Sequence, residues 1–107
     1  MFIEYNPNPL GKRIGDCVVR AITKVCKQSW RDTYLDIAMV GLKMCDMPSS
    51  NSVWGTYLYN KGFRQHSINN TCPDCYTVKN FCIDNPKGSF ILGTGEHVVA
   101  IIDGDYY

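Results

Sequence analysis

The sequence predicts an α+β domain in which N-terminal helices pack on a C-terminal antiparallel sheet. Three observations carry that reading. Apolar residues recur at helical spacing from Val18 to Leu58. The two strongest strand signals, Ser89 to Gly93 and His97 to Ile102, come last, and Asp103-Gly104 after the second is a type I′ hairpin signal. The 107 residues are 45% hydrophobic and only 20% charged, which excludes disorder. A chain of this length buries roughly 65% of its unfolded surface, enough for one core and one cleft. With no repeat, low-complexity tract or linker, residues 1–107 read as a single domain.

Residues 5–16 form an irregular loop, punctuated by Pro7, Pro9, Gly11 and Gly15. A helix then runs from Cys17 to about Lys27, with Asp16 as its N-cap. Val18, Val19, Ala21, Ile22, Val25 and Cys26 fall on one arc; Arg20, Thr23, Lys24 and Lys27 fill the other. Cys17 sits on the border, in the first turn. A second helix starts after Ser29 with Trp30, Tyr34, Ile37 and Ala38 on one stripe, and ends between Gly41 and Asp46. Pro48-Ser49-Ser50 opens a third, with Val53, Trp54, Tyr57 and Leu58 inward and Gly62 as its stop. Phe63 to Ile68 reads as a short strand. Thr77 caps a short helix reaching Asp84, with Val78, Phe81 and Cys82 on its inner face. Asn85-Pro86-Lys87-Gly88 is a turn. Across Asp103-Gly104, Ile102 should pair with Asp105 and Ala100 with Tyr107.

The net charge of +1 argues against a nucleic-acid or membrane-surface binder. Residues 1–31 carry six basic and two acidic side chains, but no basic run with interleaved stacking aromatics. No segment approaches 18 consecutive apolar residues. Met1-Phe2-Ile3-Glu4-Tyr5 has neither the basic nor the apolar region of a signal peptide. A cytoplasmic location is therefore expected, with the six cysteines as thiols or metal ligands. A secreted chain would allow up to three disulfides.

Cys17 and His97 are the most informative pair. A thiolate is the working nucleophile, and helix starts are where proteins activate thiols. His97 opens a strand just after Gly93-Thr94-Gly95-Glu96, where a side chain can project from the sheet rim. A helix-start Cys facing a strand-start His is the arrangement Cys/His hydrolases use, the imidazole accepting the thiol proton and returning it to the leaving group. The bland alternatives are a core cysteine and a hydrogen-bonded surface histidine.

The pattern Asn-Pro-x-Gly-x-x-x-Gly-Asp-Cys-Val-Val-Arg-Ala-Ile (Asn8 to Ile22), followed by His97-Val-Val-Ala-Ile-Ile-Asp-Gly, resembles small papain-like cysteine peptidase proteins of bacteria and phages. The resemblance covers nearly all of the chain and is most specific at its two ends. It implies a papain-like fold, a peptidase or amide-bond hydrolase activity on a peptide or protein substrate, Cys17 as nucleophile and His97 as general base and acid. Papain-like enzymes place an oxyanion-binding amide about six residues before the nucleophile. Position 11 is Gly11 here, so the role passes to Asn8, working with the Cys17 backbone N–H. Asn6 is the other nearby amide. The group that orients the His is also displaced, because the strand partner of His97 lies three residues beyond Tyr107. Relatives continue there with an acidic residue, which implies either a truncated C-terminal end or another orienting group. Asp103 is the in-chain candidate, on the same strand face as His97 but too far along to touch it.

Cys72-Pro-Asp-Cys75, with Cys82 and His66 nearby, is half of a zinc site that lacks a second Cys-x-x-Cys. A tight loop and a core Cys82 explain these residues more simply, so no metal or cofactor is expected. Two readings compete with the hydrolase. One is a non-catalytic binding or inhibitory protein on the same scaffold, phage-encoded for example. The other is a zinc-stabilised interaction module. Neither substrate identity nor oligomeric state is written in the sequence.

Overall fold

A computed structural model describes residues 1–68, 76–94 and 97–107. Four helices precede a three-stranded antiparallel sheet. They are α1 (Cys17–Cys26), α2 (Trp30–Met44), α3 (Asn51–Asn60) and α4 (Val78–Asp84), and the strands are β1 (Ser89–Gly93), β2 (Val98–Ile102) and β3 (Asp105–Tyr106), in the order β1-β2-β3. The predicted α+β class is the architecture observed.

Local chemistry sets most of the boundaries. The Ser29 hydroxyl accepts from the Asp32 N–H at 3.0 Å and starts α2, and the Thr77 hydroxyl does the same for Asn80 at 3.1 Å in α4. Gly62, at φ +98°, lies just beyond the last residues of α3 in the left-handed region that a C-terminal stop uses. Asp103 and Gly104 both have positive φ, 49° and 84°, as a type I′ turn demands. The register follows: Ile102 pairs with Asp105, and the Tyr107 N–H donates to the Ala100 carbonyl.

The helix α1 is the central layer. One side packs on α2 and α3, where Ile22, Ile37 and Val53 are sealed from solvent beside Tyr57 and Leu58. Burying each of these aliphatic side chains stabilises the fold by about 1.5–3 kcal/mol. Its other side lays Ala21 on Val98 and Ala100 of β2. The opposite face of the sheet carries Val99 and Ile101, covered by α4 through Cys82. Small residues at Ala21 and Ala100, with 3% and 0% exposure, let helix and strand approach closely.

Several expectations are corrected. Phe63–Ile68 is not a strand. The Phe63 N–H closes back on the Leu58 carbonyl and its ring joins the helical core, while residues 64–68 are exposed and no strand takes up their backbone groups among the described residues. Thr23 is not on a polar arc but 3% exposed, because its hydroxyl donates to the Thr33 hydroxyl at 2.9 Å. The Thr33 hydroxyl donates to the Ser29 carbonyl and also accepts from Gln28, so all of these buried polar atoms are paired. The inner stripe of α2 is therefore Thr33, Ile37 and Gly41, and Tyr34, stacked on Trp30, is 56% exposed. Beyond β3, the last strand of the sheet, an isolated bridge is added. The N-terminal residues run parallel to β3, with Phe2 beside Tyr106, the Ile3 N–H donating to the Tyr106 carbonyl and the Tyr106 N–H to the Met1 carbonyl.

Among the described residues no helix is long and apolar enough to cross a membrane.

Candidate functional site

Cys17 is the first residue of α1, a free, half-buried thiol packed against the Ala21, Val98 and Ala100 cluster. What surrounds the helix start is decided by Asp16. That residue stands at the N-cap position, yet its carboxylate makes no capping bond. One oxygen instead accepts from the Trp30 indole N–H at 2.9 Å and the other from Arg20 at 3.1 Å. Asp16 is 7% exposed, and both bonds offset the cost of burying its charge. The expected side-chain cap is thus corrected: a neutral indole N–H and a charged guanidinium outcompete the helix N–H groups. The first backbone N–H groups of α1 keep no side-chain partner from Asp16.

Asn8 shapes the loop before the helix. Its side-chain oxygen accepts from the N–H groups of Leu10, at 2.9 Å, and Lys12, at 3.3 Å, and its carbonyl accepts from Gly11. With the oxygen so engaged, the Asn8 NH₂ is fixed in direction and has no hydrogen-bond partner among the described residues. Asn6 cannot take the same role. Its NH₂ donates to the carbonyls of Gly11 and Lys12, and its oxygen accepts from the Asn8 N–H.

His97 is exposed and directly precedes β2. Its carbonyl accepts from both the N–H and the hydroxyl of Thr94, which continues the β1–β2 ladder one pair further. Val98 and Ala100 face α1, whereas Val99 and Ile101 face α4. On a regular pleat the imidazole shares the Val99 face. The structure therefore brings Cys17 against the neighbour of His97, and no hydrogen bond joins the sulfur to the imidazole among the described residues. Asp103 is occupied elsewhere: its carboxylate accepts from the Gly88 N–H at 2.9 Å, closing the far end of the same hairpin. Six residues along the strand is about 20 Å. It does not orient His97.

A cleft of about 200 Å³ opens beside the helix start, lined by Gly15, Asp16, Val18, Val19, Trp30 and Ile37 among others. Its wall is almost wholly apolar, because the Asp16 carboxylate is already spent on Trp30 and Arg20. Sequence reasoning placed Trp30 in a core stripe and missed its part in holding Asp16. The spacing of Asp16 and Arg20, one helical turn apart, was the signal for their ion pair.

Of the zinc candidates, Cys72 and Cys75 lie outside the described residues. Cys82 is 7% exposed in the apolar cluster with Val99 and Ile101, and His66 is exposed. Among the described residues no three His, Cys, Asp or Glu side chains gather as metal ligands.

No family model, curated protein or solved structure matches this chain.

Proposed function

We propose that the chain is a papain-like cysteine hydrolase that cleaves a peptide or amide bond, with Cys17 as nucleophile and His97 as its acid–base partner. The observation that supports this most directly is the helix start. Because Asp16 turns its carboxylate to Trp30 and Arg20, the Cys17 N–H and the thiol beside it face an uncapped helix N-terminus. Those are the parts that hold an oxyanion and attack a carbonyl. The exposed imidazole of His97 starts on the Val99 face and makes no hydrogen bond among the described residues, so this reading requires it to swing around the start of β2 to the face of Cys17.

In this reading the His97 imidazole takes the thiol proton. The Cys17 sulfur forms a bond to the substrate carbonyl carbon, and the oxygen takes up the negative charge against the Cys17 N–H and the Asn8 NH₂. The C–N bond then breaks as His97 gives its proton to the leaving amine. Water, deprotonated by His97, cleaves the thioester and restores the thiol. An amine in place of water gives acyl transfer with the same residues.

A second reading, a non-catalytic binding or inhibitory protein, is favoured by a different observation: the Asp103 carboxylate is committed to Gly88, leaving His97 without an orienting group among the described residues. Iodoacetamide labelling at pH 7 separates the two. The hydrolase reading expects Cys17 to react at least tenfold faster than the exposed Cys45, with Cys17→Ala and His97→Ala each abolishing amide hydrolysis. Equal rates at the two thiols, together with unchanged biological effect in both variants, would leave only the binding protein.

A further inference from the structure

The outer face of α2 carries an apolar stripe with nothing packed on it among the described residues. Thr33, Ile37 and Gly41 turn inward. On the opposite side of the helix, Leu35, Met39 and Leu42 recur at i, i+4 and i+7, within an arc of about 60°. They are 59%, 46% and 71% exposed, and none belongs to a core cluster. Three large apolar side chains in line along a 15-residue helix form a continuous surface, unlike apolar residues scattered singly. Ala38, beside them, is short enough for another backbone to come close. Two charges border the stripe. Asp32 near its N-terminal end and Lys43 near its C-terminal end both stand on the Met39 side. Both are exposed, and neither forms an ion pair among the described residues.

We infer that this face docks a second copy of the chain, α2 against α2, antiparallel about a twofold axis that passes between Ala38 and Met39. The charges select that partner and that direction. With the axis so placed, Leu35 lies level with the partner's Leu42, and Ala38 with the partner's Met39. A twofold axis keeps each flank on its own side of the seam. Asp32 therefore stands beside the partner's Lys43, offset by about 3 Å along the helix, and the same pair recurs at the other end. A parallel pairing would set Asp32 against Asp32 and Lys43 against Lys43, which like-charge repulsion disfavours. Antiparallel helices also place the positive end of each macrodipole beside the negative end of the other. One face of one helix is smaller than the roughly 800 Å² per partner of a standard interface, so the dimer is weak and forms at high protein concentration. The seam lies on the far side of α2 from Ile37, which lines the cleft beside the start of α1. The inference stands whether or not Cys17 performs chemistry.

The test is sedimentation equilibrium of the full chain from about 1 μM to about 1 mM, where a monomer–dimer equilibrium should appear. Met39→Glu, at an exposed position in the middle of the stripe, should weaken association at least tenfold without lowering the urea midpoint. Lys43→Glu and Asp32→Lys should each weaken it at least threefold. The double variant, with both charges reversed, should return to within twofold of the unchanged protein. Urea titrations of each variant establish that it is folded. Three results would overturn the inference. The first is a monomer at every concentration, whether the stripe stays bare or is covered by another protein or by the chain itself. The second is a dimer that Met39→Glu leaves intact, the mark of a different face. The third is a pair of single losses that the double variant does not recover, the mark of a pairing that ignores these charges.

Discussion

The indole N–H of Trp30 donates to a carboxylate oxygen of Asp16 at 2.9 Å, tying the first residue of α2 to the residue before α1. Arg20 holds the other oxygen at 3.1 Å with its side chain a quarter exposed. Asp16→Ala should lower unfolding free energy by about 1–3 kcal/mol, less than for a fully buried pair because water reaches Arg20. Asp16→Asn keeps an acceptor for Trp30 and should lose roughly half as much. Urea titrations of the three proteins measure this; a loss under about 0.5 kcal/mol in Asp16→Ala would show that the carboxylate is not what fixes the helix start.

Thr33 is a polar hub inside the helical layer, fully buried and bonded to Thr23, Gln28 and the Ser29 carbonyl. Thr33→Val strands the Thr23 hydroxyl and one N–H of the Gln28 amide, whose NH₂ keeps its bond to the Tyr57 hydroxyl, at a cost of about 1–3 kcal/mol. Adding Thr23→Val removes one of the stranded groups. The double variant should therefore be less unstable than the two single losses added together, and strict additivity would contradict the hub.

Tyr57 predicts a pH dependence. Burial, foremost, pushes its phenol above the usual value, and the Asp36 carboxylate that accepts its hydroxyl adds to this against Gln28 and Lys61. A phenol raised on folding contributes stability that is complete below its unfolded value, about 10, and is lost as pH climbs through the folded value. Unfolding free energy should fall above about pH 10, by at most about 1.4 kcal/mol per pH unit from this group. In Tyr57→Phe that slope should shrink, while Tyr5 and Tyr76, also raised, act equally in both proteins. Parallel curves for the two proteins between pH 9 and 11 would rule out this assignment.

Gly41 predicts a substitution that helix propensity alone gets wrong. An alanine in a helix interior is worth about 1 kcal/mol over glycine. Here a Cβ would sit 2.9 Å from the Asp46 carbonyl oxygen and 3.3 Å from the Pro48 nitrogen, both backbone. The loop cannot yield without breaking the Asp46 N–H bond to the Gly41 carbonyl, 3.0 Å long. Gly41→Ala should therefore destabilise by about 1–2 kcal/mol net. A higher melting temperature would mean that the loop moves freely.

Helix starts at Ser29 and Thr77, the stop at Gly62 and the Asp103-Gly104 hairpin were all readable from sequence. So were the inner residues of α3 and the place of Cys82. Each follows from a cap, a positive φ or an apolar period that acts within a few residues of itself. The Asp16 cap failed for the same reason in reverse. Its local choice, the helix N–H groups, lost to an indole 14 residues away that only packing brings near.

By itself, then, the sequence determined the class, the four helices, the hairpin with its register, and the positions of Cys17 at a helix start and His97 just before a strand, but not the absence of a strand at Phe63–Ile68. Those features depend on backbone geometry over one turn or one pleat. Tertiary structure decided where the Asp16 carboxylate turns, that Thr23 is buried, that residues 1–3 flank β3, and that Cys17 packs against Val98, on the face of β2 opposite the one His97 shares with Val99. The physical reason is common to all four: each polar group or strand edge had several partners of similar local merit, and the choice fell to whichever one burial of the shared core placed within reach.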